Sequence, residues 1–131
     1  MKCEPRRLTR AEYLAEMELA HGAFPPKWRC KCPICGIEYS LAECIEAGGG
    51  PADRDARRAI ADRGLSGCIG RINGKGGDAF GTRPHNEHGC NFAANGLLRS
   101  PWILAAEDGQ PETGVMPIAA PLAVAVEGGA A

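Results

Sequence analysis

The sequence predicts a small α+β domain of zinc-ribbon type, with N-terminal helices packed on short antiparallel strands. Three observations carry that class. Seven cysteines occur in 131 residues, four of them within "RCKCPICGIEYSLAEC" at 29–44. Capped helical segments fill the first half of the chain. Short strand signals punctuated by glycine fill the second. Bulky anchors are few, with three Phe, two Trp and two Tyr. A domain of about 100 residues buries little more than 60% of its unfolded surface, so such a core calls for a staple. One domain is expected over 1–118, followed by a disordered Ala/Gly-rich tail over 119–131; the end "PIAAPLAVAVEGGAA" is expected to add little to the core.

The first helix is read from "LTRAEYLAEMELAHG". Thr9 and Glu12 form a capping box, Leu8 and Tyr13 take the staple positions, and Gly22 ends the helix. Leu14, Met17 and His21, flanked by Tyr13 and Ala20, make its apolar stripe. "FPPKWRCKC" reads as a proline entry to a strand with Trp28, Cys30 and Cys32 on one face and Lys27, Arg29 and Lys31 on the other. After a turn at Gly36, Ser40 and Glu43 form a second capping box. The helix they open has Leu41, Cys44 and Ile45 inside and Gly48 as its stop. "PADRDARRAIADRG" reads as a third helix, with acids in its first turn, Ala56, Ala59 and Ile60 inside, and a stop at Gly64. From Leu65 the chain is rich in Gly and Asn and loses helical periodicity. Short strands are expected around Cys68–Ile72 and Cys90–Leu98 with a long loop between them. A hairpin of 101–106 and 114–118 follows, turned near Asp108-Gly109, and Pro117 marks its second strand as an edge.

Composition narrows the chemistry. The start, "MKCEPRRLTRAEYL", is charged and lacks an apolar signal region, and no apolar run approaches ~18 residues, so a soluble cytoplasmic protein without membrane contact is expected. In a reducing compartment seven cysteines read as thiolate chemistry, and an odd number excludes complete intramolecular pairing. The net charge is −1, residues 1–99 carrying 15 basic and 12 acidic groups and residues 100–131 none and 4. No Lys/Arg block exceeds two residues. That balance gives no electrostatic announcement of nucleic acid.

A tetrahedral ion can take two thiolates from Cys32-Pro33-Ile34-Cys35, but Cys30 lies too close in the chain to supply a third. Convergence of four thiolates needs backbone that turns tightly and offers N–H groups to sulfur, so cysteines beside glycine are the candidates. Cys35-Gly36, Gly67-Cys68 and Gly89-Cys90 meet that test. With Cys32 they give the set Cys32, Cys35, Cys68 and Cys90, for which zinc is the suited metal and a closed, structural site the expected kind.

The elements "CPICG", "CIGR", and "GCNF" followed by "GLLRSP" resemble an uncharacterised family of small phage and prophage proteins with a Cys-Pro-x-Cys-Gly knuckle. The resemblance spans about 28–104. It maps Cys32, Cys35, Cys68 and Cys90 onto the family's four cysteines and implies a phage origin, hence a host bacterial cytoplasm. This chain has Asn91-Phe92 where Asp-Trp is common, and additional Cys30 and Cys44.

Other chemistry-bearing residues are weighed against ordinary structural roles. Cys30 and Cys44 are read as packed side chains and Cys3 as a free thiol. His85 and His88 in "RPHNEHGC" are read as titrating surface histidines, with His88 the possible substitute ligand. "GRINGKGGDAFG" lacks the Ser or Thr of a phosphate loop after Lys75 and is read as a flexible connection. No nucleophile elbow exists. The resulting expectation is a non-enzymatic, phage-encoded structural-zinc module that binds a protein and inhibits a host complex of the defence type, with Arg71, Phe92, Arg99 and Trp102 as possible contacts. In so aromatic-poor a chain Phe92 and Trp102 are read as core residues of that set. Two alternatives stand beside it. One is nucleic-acid binding by a stripe of Lys27, Arg29, Lys31, Arg71, Lys75 and Arg83; the other is a metal-dependent hydrolase built on His85, Glu87 and His88.

Overall fold

Thr9 opens the first long helix as the sequence requires. Its hydroxyl accepts from the Glu12 amide at 3.0 Å while the Glu12 carboxylate accepts from the Thr9 amide at 2.8 Å, closing the capping box. In this computed structural model, which describes residues 4–80, 87–96 and 99–121, the helix is α1, Arg10–His21, and it follows a short strand β1, Arg6–Leu8. Tyr13 and Met17 are buried and His21 is half-buried, its Nε2 lying 2.8 Å from the Ala119 carbonyl oxygen. Leu14, expected inside, is 41% exposed, because the sheet covers the Tyr13/Met17 side and leaves Leu14 at the edge. Replacing Thr9 by alanine removes one cap and is expected to cost about 1 kcal/mol in urea denaturation.

A 3₁₀ turn, Pro25–Lys27, leads into β2, Arg29–Lys31, which pairs antiparallel with β3, Glu38–Ser40. Trp28, Cys30 and Cys32 are buried on one face. Ser40 and Glu43 form the second capping box, starting α2, Leu41–Ala47, which buries Leu41, Cys44 and Ile45. The third helix, α3, spans Arg54–Ser66 and is capped by the Asp53 carboxylate on the Ala56 amide. It runs past Gly64, the expected stop. That glycine is buried against α2, where an added Cβ would sit 2.7 Å from the Cys44 sulfur. Gly64 is therefore a contact glycine, and Ala59, expected inside, faces solvent. Gly64→Ala should gain helix propensity yet lose about 1–2 kcal/mol net through overpacking, read as a lowered melting temperature.

The second half departs most from expectation. The segment expected as a strand around Cys68–Ile72 is a short helix, α4, Gly70–Asn73, and the described residues of 90–98 form only isolated bridges, Gly77↔Cys90, Gly67↔Ala93 and Asn95↔Arg99. The hairpin is present as β4, Trp102–Leu104, and β5, Thr113–Val115, with Gly109 at a positive φ of 73° in its turn. β1 pairs parallel with β4, giving the order β1-β4-β5. The larger sheet is thus mixed where an antiparallel one was expected, and β5 is an edge. Asn95 covers that edge: its side chain accepts from the Gly114 amide at 2.6 Å and donates to the Gly114 carbonyl at 3.1 Å.

The chain end also contributes more than expected. Pro117 and Ala119 are buried, the Lys31 amide donates to the Pro117 carbonyl, and the Ala119 amide donates to the Arg29 carbonyl. Residues 117–119 therefore lie along β2 and join the two sheets, so the packed chain reaches at least one residue beyond the expected boundary at 118. Residues 122–131 and Cys3 lie outside the described residues. No described helix is long and apolar enough to cross a membrane.

Candidate metal centre

The hairpin turn between β2 and β3 builds the first half of the site. The Gly36 amide donates to the Cys32 carbonyl and the Cys32 amide to the Ile37 carbonyl, both at 3.0 Å, and Gly36 takes a positive φ of 79° to close the turn. The Ile34 amide points at the Cys32 sulfur, 3.4 Å away. These contacts hold Cys32 and Cys35 toward one point.

The second half is built on glycine contacts. Cys68 follows α3, and its amide donates to the Phe92 carbonyl at 3.0 Å. Cys90 is bracketed by a bridge to Gly77 in which the Gly77 amide donates to the Gly89 carbonyl and the Asn91 amide to the Gly77 carbonyl. A Cβ on Gly70 would lie 2.3 Å from the Cys90 carbonyl oxygen, one on Gly76 2.8 Å from the Cys90 carbonyl carbon, and one on Gly89 2.9 Å from the Cys68 sulfur. The Cys90 amide donates to the Cys68 sulfur at 3.3 Å. "GRINGKGG" is accordingly a folded seat, and the expectation of a flexible connection is corrected. Its Asn73 side chain accepts from the Lys75 amide at 2.7 Å and donates to the His88 carbonyl at 3.0 Å. Glycines flanking both cysteines were the signal in the sequence; close backbone approach was their meaning.

The four sulfurs of Cys32, Cys35, Cys68 and Cys90 lie within 4.8 Å of one another. Cys32 and Cys90 are 3.6 Å apart and Cys35 and Cys68 3.8 Å. Those separations exceed a disulfide bond of about 2.05 Å. They match the edge of a sulfur tetrahedron around an ion with metal–sulfur bonds of about 2.3 Å, which is about 3.8 Å. The donor set, the separations and the amides aimed at sulfur all fit a metal ion, and the cluster can hold one. Hydrogen bonds with Cys32, Cys68 and Cys90 hold the Cys35 thiol far below its ordinary range, and hydrogen bonds with Cys35, Cys68 and Cys90 push Cys32 up.

The remaining candidates are placed elsewhere. Cys30 and Cys44 are fully buried outside the cluster, and burial pushes each thiol up to about 12. His88 does not join the four sulfurs; its ring lies 3.3 Å from the Glu87 carboxylate on an exposed turn. His85 and Arg83 lie outside the described residues. Phe92 and Trp102 are buried in the core, so of the four possible partner contacts only Arg71 and Arg99 are exposed. Arg99 is bound to Glu112 at 2.9 Å, while Arg71 donates to the Asn91 carbonyl at 3.2 Å. The basic stripe is interrupted at Arg29, whose side chain is only 20% exposed and faces Glu38 at 3.8 Å.

Tyr39, which no sequence signal marked, ties the knuckle to the rest of the site. Its buried hydroxyl lies 2.7 and 2.8 Å from the carbonyl oxygens of Gly64 and Gly67 and shares one proton between them, closing the end of α3 just before Cys68. Tyr39→Phe leaves those carbonyls without that donor. A loss of about 1–3 kcal/mol in urea denaturation is expected, with metal content unchanged.

Fold and site together define a small α+β domain organised around a four-cysteine cluster. The chain belongs to the VVA0879-like family, whose model matches residues 9–119, a span that begins at the α1 cap and includes all four clustered cysteines. Searches of curated proteins and of solved structures give no match.

Proposed function

We propose that the protein is a structural-zinc binding module of zinc-ribbon-like design whose partner is another protein. The observation that carries this reading is the convergence of four cysteine sulfurs within 4.8 Å from well-separated parts of the chain. Cys32 and Cys35 supply a knuckle on a β-hairpin, as in a ribbon. Cys68 and Cys90 come from a helix approach and a glycine-seated loop. Four thiolates fill every corner of a tetrahedral ion and leave no position for a substrate, so the ion's role is to hold the two halves together. A balanced charge of −1 and the interrupted basic stripe favour a protein partner over nucleic acid. Phage origin belongs to this reading through the sequence resemblance alone, and inhibition of a host complex through analogy alone.

The test is elemental analysis of protein purified without added metal, with X-ray absorption at the zinc edge. One zinc per chain in an all-sulfur shell at about 2.3 Å is expected. A coloured, iron-loaded protein would replace zinc by another thiolate-bound metal. A metal-free, folded protein would end the reading.

A further inference from the structure

A groove of about 710 Å³ lies between the Phe24-Pro25-Pro26 segment and α3. Its floor is the apolar body of the domain, Trp28, Leu41 and Ile45, all within the buried core. Its edges are different. Phe24 is 60% exposed and Leu14 41% exposed. Opposite Phe24, α3 presents Arg54, Arg57 and Arg58, a set spaced to share one helix face. None of the three forms an ion pair among the described residues, and Arg57 donates to the Pro51 carbonyl at 3.0 Å, so their positive charge is not neutralised within the chain. Asp62 is the one acidic residue lining the groove.

From this arrangement we infer that the groove is the docking site for a partner-protein segment that carries apolar anchors flanked by carboxylates. The inference rests on the protein-binding reading above and names its surface and its ligand chemistry. An apolar floor offers burial to the anchors, while three exposed arginines on one wall favour negative charge in whatever covers them; aromatic residues and arginine are the side chains enriched at protein interfaces. Concavity favours a peptide over a lipid surface, since a bilayer meets protruding apolar side chains and cannot follow a trough.

The experiment selects a random-peptide display library on the metal-loaded full chain, then measures the enriched peptides, synthesised, by fluorescence anisotropy. Enriched peptides should combine Asp or Glu with Leu, Phe or similar anchors. Their affinity should fall about tenfold or more in the double variant Arg57→Glu/Arg58→Glu and in Phe24→Ser, with metal content unchanged in both. Four results would each overturn the inference: no enrichment, or enriched peptides indifferent to both variants; tighter peptide binding after truncation behind Pro121, which would make residues 122–131 the occupant; a dimer in sedimentation that Phe24→Ser dissociates, which would make a second copy the occupant; and arginine-dependent binding to phosphatidylserine vesicles without peptide binding. A metal-loaded protein that selects no peptide sinks this inference and leaves the zinc reading intact. A folded, metal-free protein that still binds through the groove does the reverse.

Discussion

Cys68→Ser should yield a protein without bound metal and without a cooperative unfolding transition. Cys68 is fully buried, and its sulfur lies 3.8 Å from that of Cys35 and receives the Cys90 amide. Serine preserves the shape of the side chain closely but removes the thiolate, so the loss is chemical. A metal held by the four sulfurs would fasten the β2–β3 hairpin to residues 65–96, a stretch whose own described regular structure beyond the end of α3 is a four-residue helix and isolated bridges, with hydrogen bonds to Tyr39, Gly114 and Met116 among its other ties. Structural zinc in small cysteine sites contributes about 10–16 kcal/mol in apparent terms, against a total stability of about 5–15 kcal/mol for a folded domain. Loss of that contribution exceeds what the remaining core can offset. Cys44→Ala is the matched control. Cys44 is equally buried yet stands outside the cluster, so its removal should cost about 1–2 kcal/mol through a small cavity and leave the metal in place. Elemental analysis and circular-dichroism melts read both variants. If Cys68→Ser kept its metal and its melting transition, the cluster would not be the element that holds the domain.

The local signals were legible wherever one short stretch of chain determines the outcome. Both capping boxes formed as read, because Thr9 with Glu12 and Ser40 with Glu43 need only three intervening peptide units to satisfy each other. The knuckle was legible for the same reason, and the 102–104/113–115 hairpin through its Asp108-Gly109 turn. β1 was not, since Arg6-Arg7-Leu8 has neither alternation nor β-branched residues; its pairing is set by β4, more than ninety residues on. There the Arg6 guanidinium lies 4.9 Å from the Trp102 ring centroid and also binds Glu16 at 2.7 Å, contacts that no window of sequence contains. The burial of Ala119 was missed because an Ala/Gly-rich composition says little about a segment whose backbone is bound by a distant strand. In "GRINGKGGDAFG" glycine was read as freedom. The same absence of a side chain equally permits two backbones to touch, and only the fold distinguishes the two uses.

Gly70 gives the sharpest form of that distinction, because two principles predict opposite signs for Gly70→Ala. The residue is the first of α4, and alanine is favoured over glycine in helices by up to about 1 kcal/mol, so propensity alone predicts a more stable protein. Packing predicts the reverse. The new Cβ would stand 2.3 Å from the Cys90 carbonyl oxygen and 2.6 Å from its amide nitrogen. These are backbone atoms already committed to the metal centre's second half, and they cannot rotate aside as a side-chain tip would. Either α4 or Cys90 must move, and moving Cys90 breaks the register of the four sulfurs. Gly70→Ala is therefore expected to lose most of its metal and its cooperative unfolding transition, the outcome expected of Cys68→Ser. Gly74, four residues on, separates the two effects. It has a positive φ of 74° and nothing within 4 Å of an added Cβ, so Gly74→Ala carries backbone strain of about 1–2 kcal/mol without touching the site and should retain full metal. A Gly70→Ala protein that bound one equivalent of metal and melted above the parent would show that propensity governs here and that Cys90 is not held by this contact.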